Sequence, residues 1–222
     1  MTAHLPAPAV LTADAVLFDN DGTLIDSLAS VRRCWGRWAS ESGIEPQRLD
    51  EVGYVGRPAR EVIAELLPEP EVAAAVARLQ ELELADAANT RLLPGTEELL
   101  SSLPRDRWAV VTAAARVLAL RRLSALGLTV PMLVGAEDVT RGKPDPEPFL
   151  KAAERLGVAP SRCVVVEDSP AGLAAGRAAG MHTVALATTH DPGELAADVI
   201  AKDLSQVRPL VEPDGSLALL IG

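Results

Sequence analysis

Ala15-Val16-Leu17-Phe18-Asp19-Asn20-Asp21-Gly22-Thr23-Leu24 is the stretch on which the reading of this chain turns. A short apolar run stops abruptly at carboxylates and a glycine, the pattern of a buried strand that ends in a turn carrying polar groups. The pattern recurs. Trp108-Ala109-Val110-Val111 ends at Thr112, Cys163-Val164-Val165-Val166 at Glu167-Asp168, and Thr183-Val184-Ala185-Leu186 at Ala187-Thr188-Thr189. Runs without polar alternation predict strands covered on both faces, as in a parallel sheet. Helices are expected between them, over Ala114 to Leu126, Pro146 to Leu156 and Pro170 to Ala179. Strand and helix in alternation predict an α/β fold with right-handed crossovers.

Ser27 to Arg91 breaks this rhythm and contains no segment that reads as a strand. Val31, Cys34, Trp35 and Trp38 share one helical face, which Gly43 would terminate. Val62, Ile63, Leu66 and Leu67 make a second face, stopped before Pro68. Val72, Ala75, Val76, Leu79 and Leu82 make a third, with Pro70 suited to its first turn. The expected organisation is a core of residues 1–26 and 92–222, with a helical domain of residues 27–91 inserted after the first strand. Its crossings, near Ile25-Asp26-Ser27 and near Thr90 to Pro94, lie side by side in the way a hinged lid needs.

Composition narrows the function. The 222 residues are 48% hydrophobic, much of it alanine, and 3% aromatic, so many closely packed helices are expected. A net charge of −10 disfavours nucleic acid and anionic membranes as partners. A phosphorylated small molecule is anionic too, so holding one requires local positive charge or a metal. Cys34 and Cys163, far apart in sequence, fit buried thiols in a reducing compartment. No apolar run reaches membrane-spanning length. Met1 to Val10, with His4 and no Lys or Arg, reads as a short disordered leader rather than a secretory signal. A cytoplasmic monomer is the expectation.

Polar clusters fall at the carboxyl ends of the predicted strands: Asp19/Asp21, Thr112 and Glu167/Asp168, with Lys143 at the same edge. In open α/β sheets ligands bind there. These residue types suit phosphate monoester chemistry. Its obstacle is repulsion between phosphoryl oxygens and an incoming nucleophile, which a hard cation such as Mg²⁺ offsets. Asp19 and Asp168 can each give an oxygen to Mg²⁺, and Asp19 can attack phosphorus to form an aspartyl-phosphate. Asp21 can protonate the departing alkoxide and later accept a proton from water. Lys143 supplies positive charge to the phosphoryl oxygens, Thr112 a hydroxyl, and the turn from Asn20 to Gly22 its backbone N–H groups.

With these motifs the chain resembles the haloacid dehalogenase-like hydrolase superfamily. Asp19-Asn20-Asp21-Gly22-Thr23-Leu24 matches the first family motif, Thr112 the second, Lys143 in Gly142-Lys143-Pro144-Asp145-Pro146 the third, and Glu167-Asp168-Ser169 the fourth. The order and spacing agree from about Ala15 to Val207. The resemblance implies a Rossmann-like parallel-sheet core with a small α-helical cap. It implies a catalytic pair Asp19 and Asp21, a metal set of Asp19, Asp21 and Asp168, and phosphate contacts from Asn20, Thr112, Ala113 and Lys143. Asp21 favours phosphoryl transfer, since the family's dehalogenases lack that aspartate. Val31 stands where the similar β-phosphoglucomutases carry a histidine, and the lysine-free stretch Ser27 to Arg91 disfavours the phosphonatases. Asp26-Ser27-Leu28, Gly56-Arg57-Pro58, Gly135-Ala136-Glu137-Asp138-Val139 and Ala187-Thr188-Thr189-His190-Asp191 look like the sugar- and polyol-phosphate phosphatases. Ala113-Ala114 departs from that branch, which usually has Ser or Asn and then Gly after the threonine. A phosphosugar mutase and a non-catalytic phosphosugar-binding regulator are the competing readings.

Among the remaining candidates, Arg57 and Arg60 lie near a glycine in the inserted region, where the expectation is contact with a substrate hydroxyl or phosphate and the alternative a solvated helix start. Glu167 is expected to orient Lys143 or hold the metal through water. Ser169 suits the cap of the helix opened by Pro170. His190 fits a turn and His182 the start of a strand. Cys34 and Cys163 fit apolar faces.

Overall fold

A computed structural model describes residues 9–222. In chain order, β1 (Ala9–Ala13) and β2 (Ala15–Phe18) lead through β3 (Ile25–Asp26) into four helices. These are α1 (Leu28–Glu41), α2 (Pro46–Val52), α3 (Ala59–Leu66) and α4 (Glu69–Asp86). The chain returns through β4 (Arg91–Leu92) and α5 (Thr96–Ser102) to β5 (Trp108–Val111), α6 (Arg116–Ala125), β6 (Leu133–Val134) and α7 (Glu147–Leu156). It closes with β7 (Cys163–Glu167), α8 (Pro170–Ala178), β8 (His182–Leu186), β9 (Val199–Ala201), β10 (Val207–Val211) and β11 (Leu217–Ile221).

The main sheet is six-stranded, in the order β6-β5-β2-β7-β8-β9. Every pairing in it is parallel, the α/β architecture expected from the sequence. Every residue of β2, β5 and β7 is buried, which explains why these runs show no polar alternation. Successive side chains still point to opposite faces. Val16, Phe18, Val110, Val164 and Val166 pack on one side with Leu99, Leu123 and the C-terminal strands. Ala15, Leu17, Ala109, Val111, Cys163 and Val165 pack on the other with Phe149, Ala152 and Ala175. Two halves of one strand thus belong to two cores.

A second sheet was not legible. β1, β11 and β10 form a three-stranded antiparallel layer, with Ala9 opposite Ile221 and Val207 opposite Ile221 on its other side. This corrects the reading of Met1 to Val10 as leader. Ala9 and Val10 are strand residues, because Leu217–Ile221 offers them a hydrogen-bonding edge from the far end of the chain. Residues 1–8, including His4, lie outside the described residues.

Helices α1 to α4 share a separate core of Cys34, Trp35, Trp38, Leu49, Val62, Ile63, Val72 and Leu79. The Trp38 indole donates to the Ala75 carbonyl at 3.1 Å, tying α1 to α4. The stretches entering and leaving this bundle pair as a short antiparallel ribbon, Ile25 opposite Leu92 and Asp26 opposite Arg91. Two-residue strands have too little pattern to be read from sequence. No described helix is long and apolar enough to cross a membrane.

Candidate active site

The parallel strands deliver their polar ends to one edge. Asp19 follows β2, and its N–H donates to the Val166 carbonyl of β7 at 2.9 Å. Thr112 follows β5, Glu167 ends β7, and Asp168 comes next. After β6 the chain crosses to the other side of β2, so this edge is the topological switch point where such sheets form a crevice.

Asp19, Glu167 and Asp168 are all buried, and one ligating oxygen from each lies within 4.8 Å of the others. Lys143 enters from the loop between β6 and α7. Its ammonium donates to Asp19 Oδ1 at 2.6 Å, Glu167 Oε1 at 2.7 Å and the Val111 carbonyl at 3.0 Å. Burial raises the Asp19 carboxyl well above its ordinary value, against the pull of Lys143. Burial likewise pushes Asp168 up to about 7, helped by the charge of Glu167. For Lys143 burial acts against the charge, but Asp19 and Glu167 outweigh it and hold the ammonium above its ordinary range. One cation among three buried carboxylates leaves negative charge uncompensated. An all-oxygen donor set of this kind fits a hard divalent cation.

Supporting contacts fix each carboxylate. Glu167 Oε2 accepts from the N–H groups of Asp168 and Ser169 and from the Ser169 hydroxyl, each at 2.8 Å. Both its oxygens are therefore occupied within the protein. Ser169 also caps α8, its side chain accepting from the Gly172 N–H. Asp168 is held by Thr23 Oγ1 at 3.3 Å and by the Thr189 hydroxyl, and His190 Nδ1 lies 3.0 Å from its carbonyl. Sequence reasoning placed His190 in a turn and assigned no contact to Thr189. Nothing local marks them, because their partner is twenty-one and twenty-two residues away, respectively.

Glycines at two places are demanded by this packing. A Cβ on Gly172 would fall 1.7 Å from Glu167 Oε1, and one on Gly22 would fall 2.1 Å from Asp168 Oδ2. Gly22 also has φ +95°, a backbone that other residues adopt only under strain. Gly22→Ala is therefore expected to lower unfolding free energy by about 2–4 kcal/mol, combining left-handed strain with overpacking. Urea denaturation checks this, and a loss below about 1 kcal/mol would contradict it.

Thr112 Oγ1 accepts from the Ala114 N–H at 3.1 Å, which shapes the turn after β5. Ala113, between them, is partly exposed. That turn is braced from below. Arg116 donates its N–H to Glu137 and pairs with Asp138, which also takes Arg155. Glu137 and Asp138 in the Gly135–Val139 segment thus serve the scaffold. Asn20 is fully buried, its Nδ2 donates to Asp21 Oδ2 at 3.0 Å, and its Oδ1 has no protein partner among the described residues.

Asp21 stands apart from the carboxylate cluster. Its Oδ1 accepts from Ser27 Oγ at 2.5 Å and from Arg122 Nη1 at 2.8 Å. The side chain is turned toward the helical insertion, so the carboxylates gathered at the strand ends are those of Asp19 and Asp168, with Glu167 on Lys143, and the Asp21 carboxylate is not among them. Arg122 was missed by sequence reasoning. It is 2% exposed on α6, and its Nη2 lies 3.7 Å from Glu83 Oε1 of α4. Burial pushes the Glu83 carboxyl up to about 7, with Arg122 drawing it down and Asp21 raising it.

Arg57 and Arg60, the residues expected to reach substrate, are engaged within the helical insertion. Arg57 donates to the Val52 and Gly53 carbonyls and to Glu65, and Arg60 pairs with Glu69. Glu65 and two helix-end carbonyls thus occupy the Arg57 guanidinium, and Glu69 that of Arg60. Arg57 does line a cleft of about 690 Å³ with Arg32 and Tyr54, and neighbouring Pro58 lies against Gly142, beside Lys143.

Comparison with known proteins gives a consistent picture. The family model described as haloacid dehalogenase-like hydrolase matches residues 13–180. Hexitol phosphatase A of Escherichia coli is 37% identical over 211 residues, covering 91% of this chain and 97% of that protein. Validoxylamine A 7′-phosphate phosphatase of Streptomyces hygroscopicus subsp. limoneus is 40% identical, covering 86% and 94%. The crystal structure of a hydrolase from Pseudomonas syringae superposes with a TM-score of 0.78 at 26% identity, covering 87% and 94%.

Proposed function

The chain belongs to the haloacid dehalogenase-like hydrolases, and from that membership we propose that it hydrolyses small phosphate monoesters of the sugar or polyol phosphate class, with Asp19 as nucleophile. The observation that carries this reading is the buried group of Asp19, Glu167 and Asp168 around Lys143, at the switch point of the sheet. The relatives' phosphatase names support the reaction class, and the hexitol phosphatase in particular supports a polyol substrate.

In this reading an Asp19 carboxylate oxygen attacks phosphorus, the ester bond breaks, and the alkoxide leaves with a proton from Asp21. Water then attacks phosphorus, Asp21 takes its proton, and Asp19 is restored as phosphate departs. Lys143, anchored between Asp19 and Glu167, places its charge where phosphoryl oxygens arrive. Thr112 and the Ala113 N–H are the further donors to those oxygens in this reading. Asp19 and Asp168 would hold Mg²⁺, which when bound offsets phosphoryl charge. Residues 27–91 act as the lid over this edge, hinged at the β3–β4 ribbon.

A panel of hexitol, hexose, pentose and glycerol phosphates tests the reading. Phosphate release is expected from at least one of them, lost with EDTA and regained with Mg²⁺. Binding of the panel without hydrolysis, or hydrolysis indifferent to EDTA, would contradict it.

A further inference from the structure

The buried guanidinium of Arg122 is not explained by packing. Burying a charge costs several kcal/mol unless its donors are satisfied, and an apolar side chain would fill the same space at lower cost. Here only Nη1 is well used, on Asp21 Oδ1 at 2.8 Å. Nε and Nη2 are buried without a hydrogen-bond partner among the described residues. Nη2 is nearest to Glu83 Oε1, at 3.7 Å, just beyond hydrogen-bond reach. Asp21 belongs to the turn after β2, Arg122 to core helix α6, and Glu83 to α4 of the insertion, which packs on α6.

We propose that Arg122 is a positioning residue for the carboxylate of Asp21, and that Glu83 shares its guanidinium, so that the seating of the helical insertion on α6 sets where that carboxylate points. The proposal rests on Asp21 being the acid–base group. In the present arrangement Arg122 and Ser27 hold Asp21 Oδ1 toward the insertion, away from the Asp19 cluster. A shift of α4 that closes the 3.7 Å gap gives Arg122 a second carboxylate and loosens its hold on the first. The buried, half-satisfied guanidinium is the element whose two arrangements couple insertion to site.

The test is a double-mutant cycle in the full chain, read with a hexitol phosphate. Arg122→Met leaves the Asp21 carboxylate without a guide in either arrangement, and is expected to lower kcat about 10- to 100-fold with KM within about threefold. In an Asp21→Asn background the same change is expected to alter kcat less than about twofold. An equal loss in both backgrounds would overturn the proposal, because Arg122 would then act independently of Asp21. Wild-type turnover by Asp21→Asn alone would instead remove the acid–base reading on which the proposal stands. Arg122→Lys keeps the buried charge and guards against misfolding. It is expected to fall between wild type and Arg122→Met, and wild-type kcat in this variant would also overturn the proposal. Glu83→Gln is expected to change kcat at least about threefold at unchanged melting temperature, whereas an unaltered kcat would overturn the sharing.

Discussion

Asp19→Asn is expected to lower turnover on every phosphate monoester by about a thousandfold or more, the scale on which removing a nucleophile acts. Asparagine preserves the shape and can still accept from Lys143, so geometry survives while the attacking carboxylate does not. The same change is not expected to destabilise the protein. In the wild type, burial and the charges of Glu167 and Asp168 act against ionised Asp19, and a neutral amide relieves both. A variant that is inactive yet melts at or above the wild-type temperature without metal would be a site held at the expense of stability. Turnover above about a tenth of wild type would remove Asp19 from the nucleophile's role.

Lys143→Met is expected to have the largest structural effect. It strips the cation from two buried carboxylates, both within 2.7 Å of its ammonium. Breaking a buried pair in this way costs about 3–5 kcal/mol. For a chain of this size that is a fall in melting temperature of about 6–20 °C. The loss should depend on pH with a defined sign. Asp168 already titrates at about 7 and Asp19 well above 3.8, and removing Lys143 raises both further. The folded state then binds more protons than the unfolded one, so stability falls as pH rises through the window between the unfolded and folded values. Melting in EDTA should show a larger deficit at pH 8 than at pH 5. A melting temperature within about 2 °C of wild type at both would contradict the account.

Much of the core was legible because burial on both faces leaves a plain mark. The all-apolar runs ending at Phe18, Val111 and Val166 become the buried strands β2, β5 and β7. The faces of Cys34, Trp35 and Trp38, of Val62 and Ile63, and of Val72 and Leu79 form the core of the helical insertion. Strand ends also told which polar residues would gather, as Asp19, Lys143, Glu167 and Asp168 do. What escaped the sequence depends on distant partners. Arg122 follows Arg121 on a helix and reads as surface charge. It is buried only because Asp21, 101 residues earlier, and Glu83 reach it from other elements. Ala9 and Val10 look like leader until Leu217–Ile221 supplies an edge to pair with. Arg57 and Arg60 pair with Glu65 and Glu69, contacts that the stretch around each arginine does not reveal.

The central claim is that phosphate passes through a covalent bond to Asp19. Acid quenching during turnover, followed by mass analysis of the peptide spanning Ala15 to Leu28, tests it most directly. The account predicts one phosphoryl group on Asp19, absent from the Asp19→Asn protein, with retention of configuration at phosphorus from the two displacements. An unmodified peptide with inversion at phosphorus would contradict it, since water would then have attacked the ester directly.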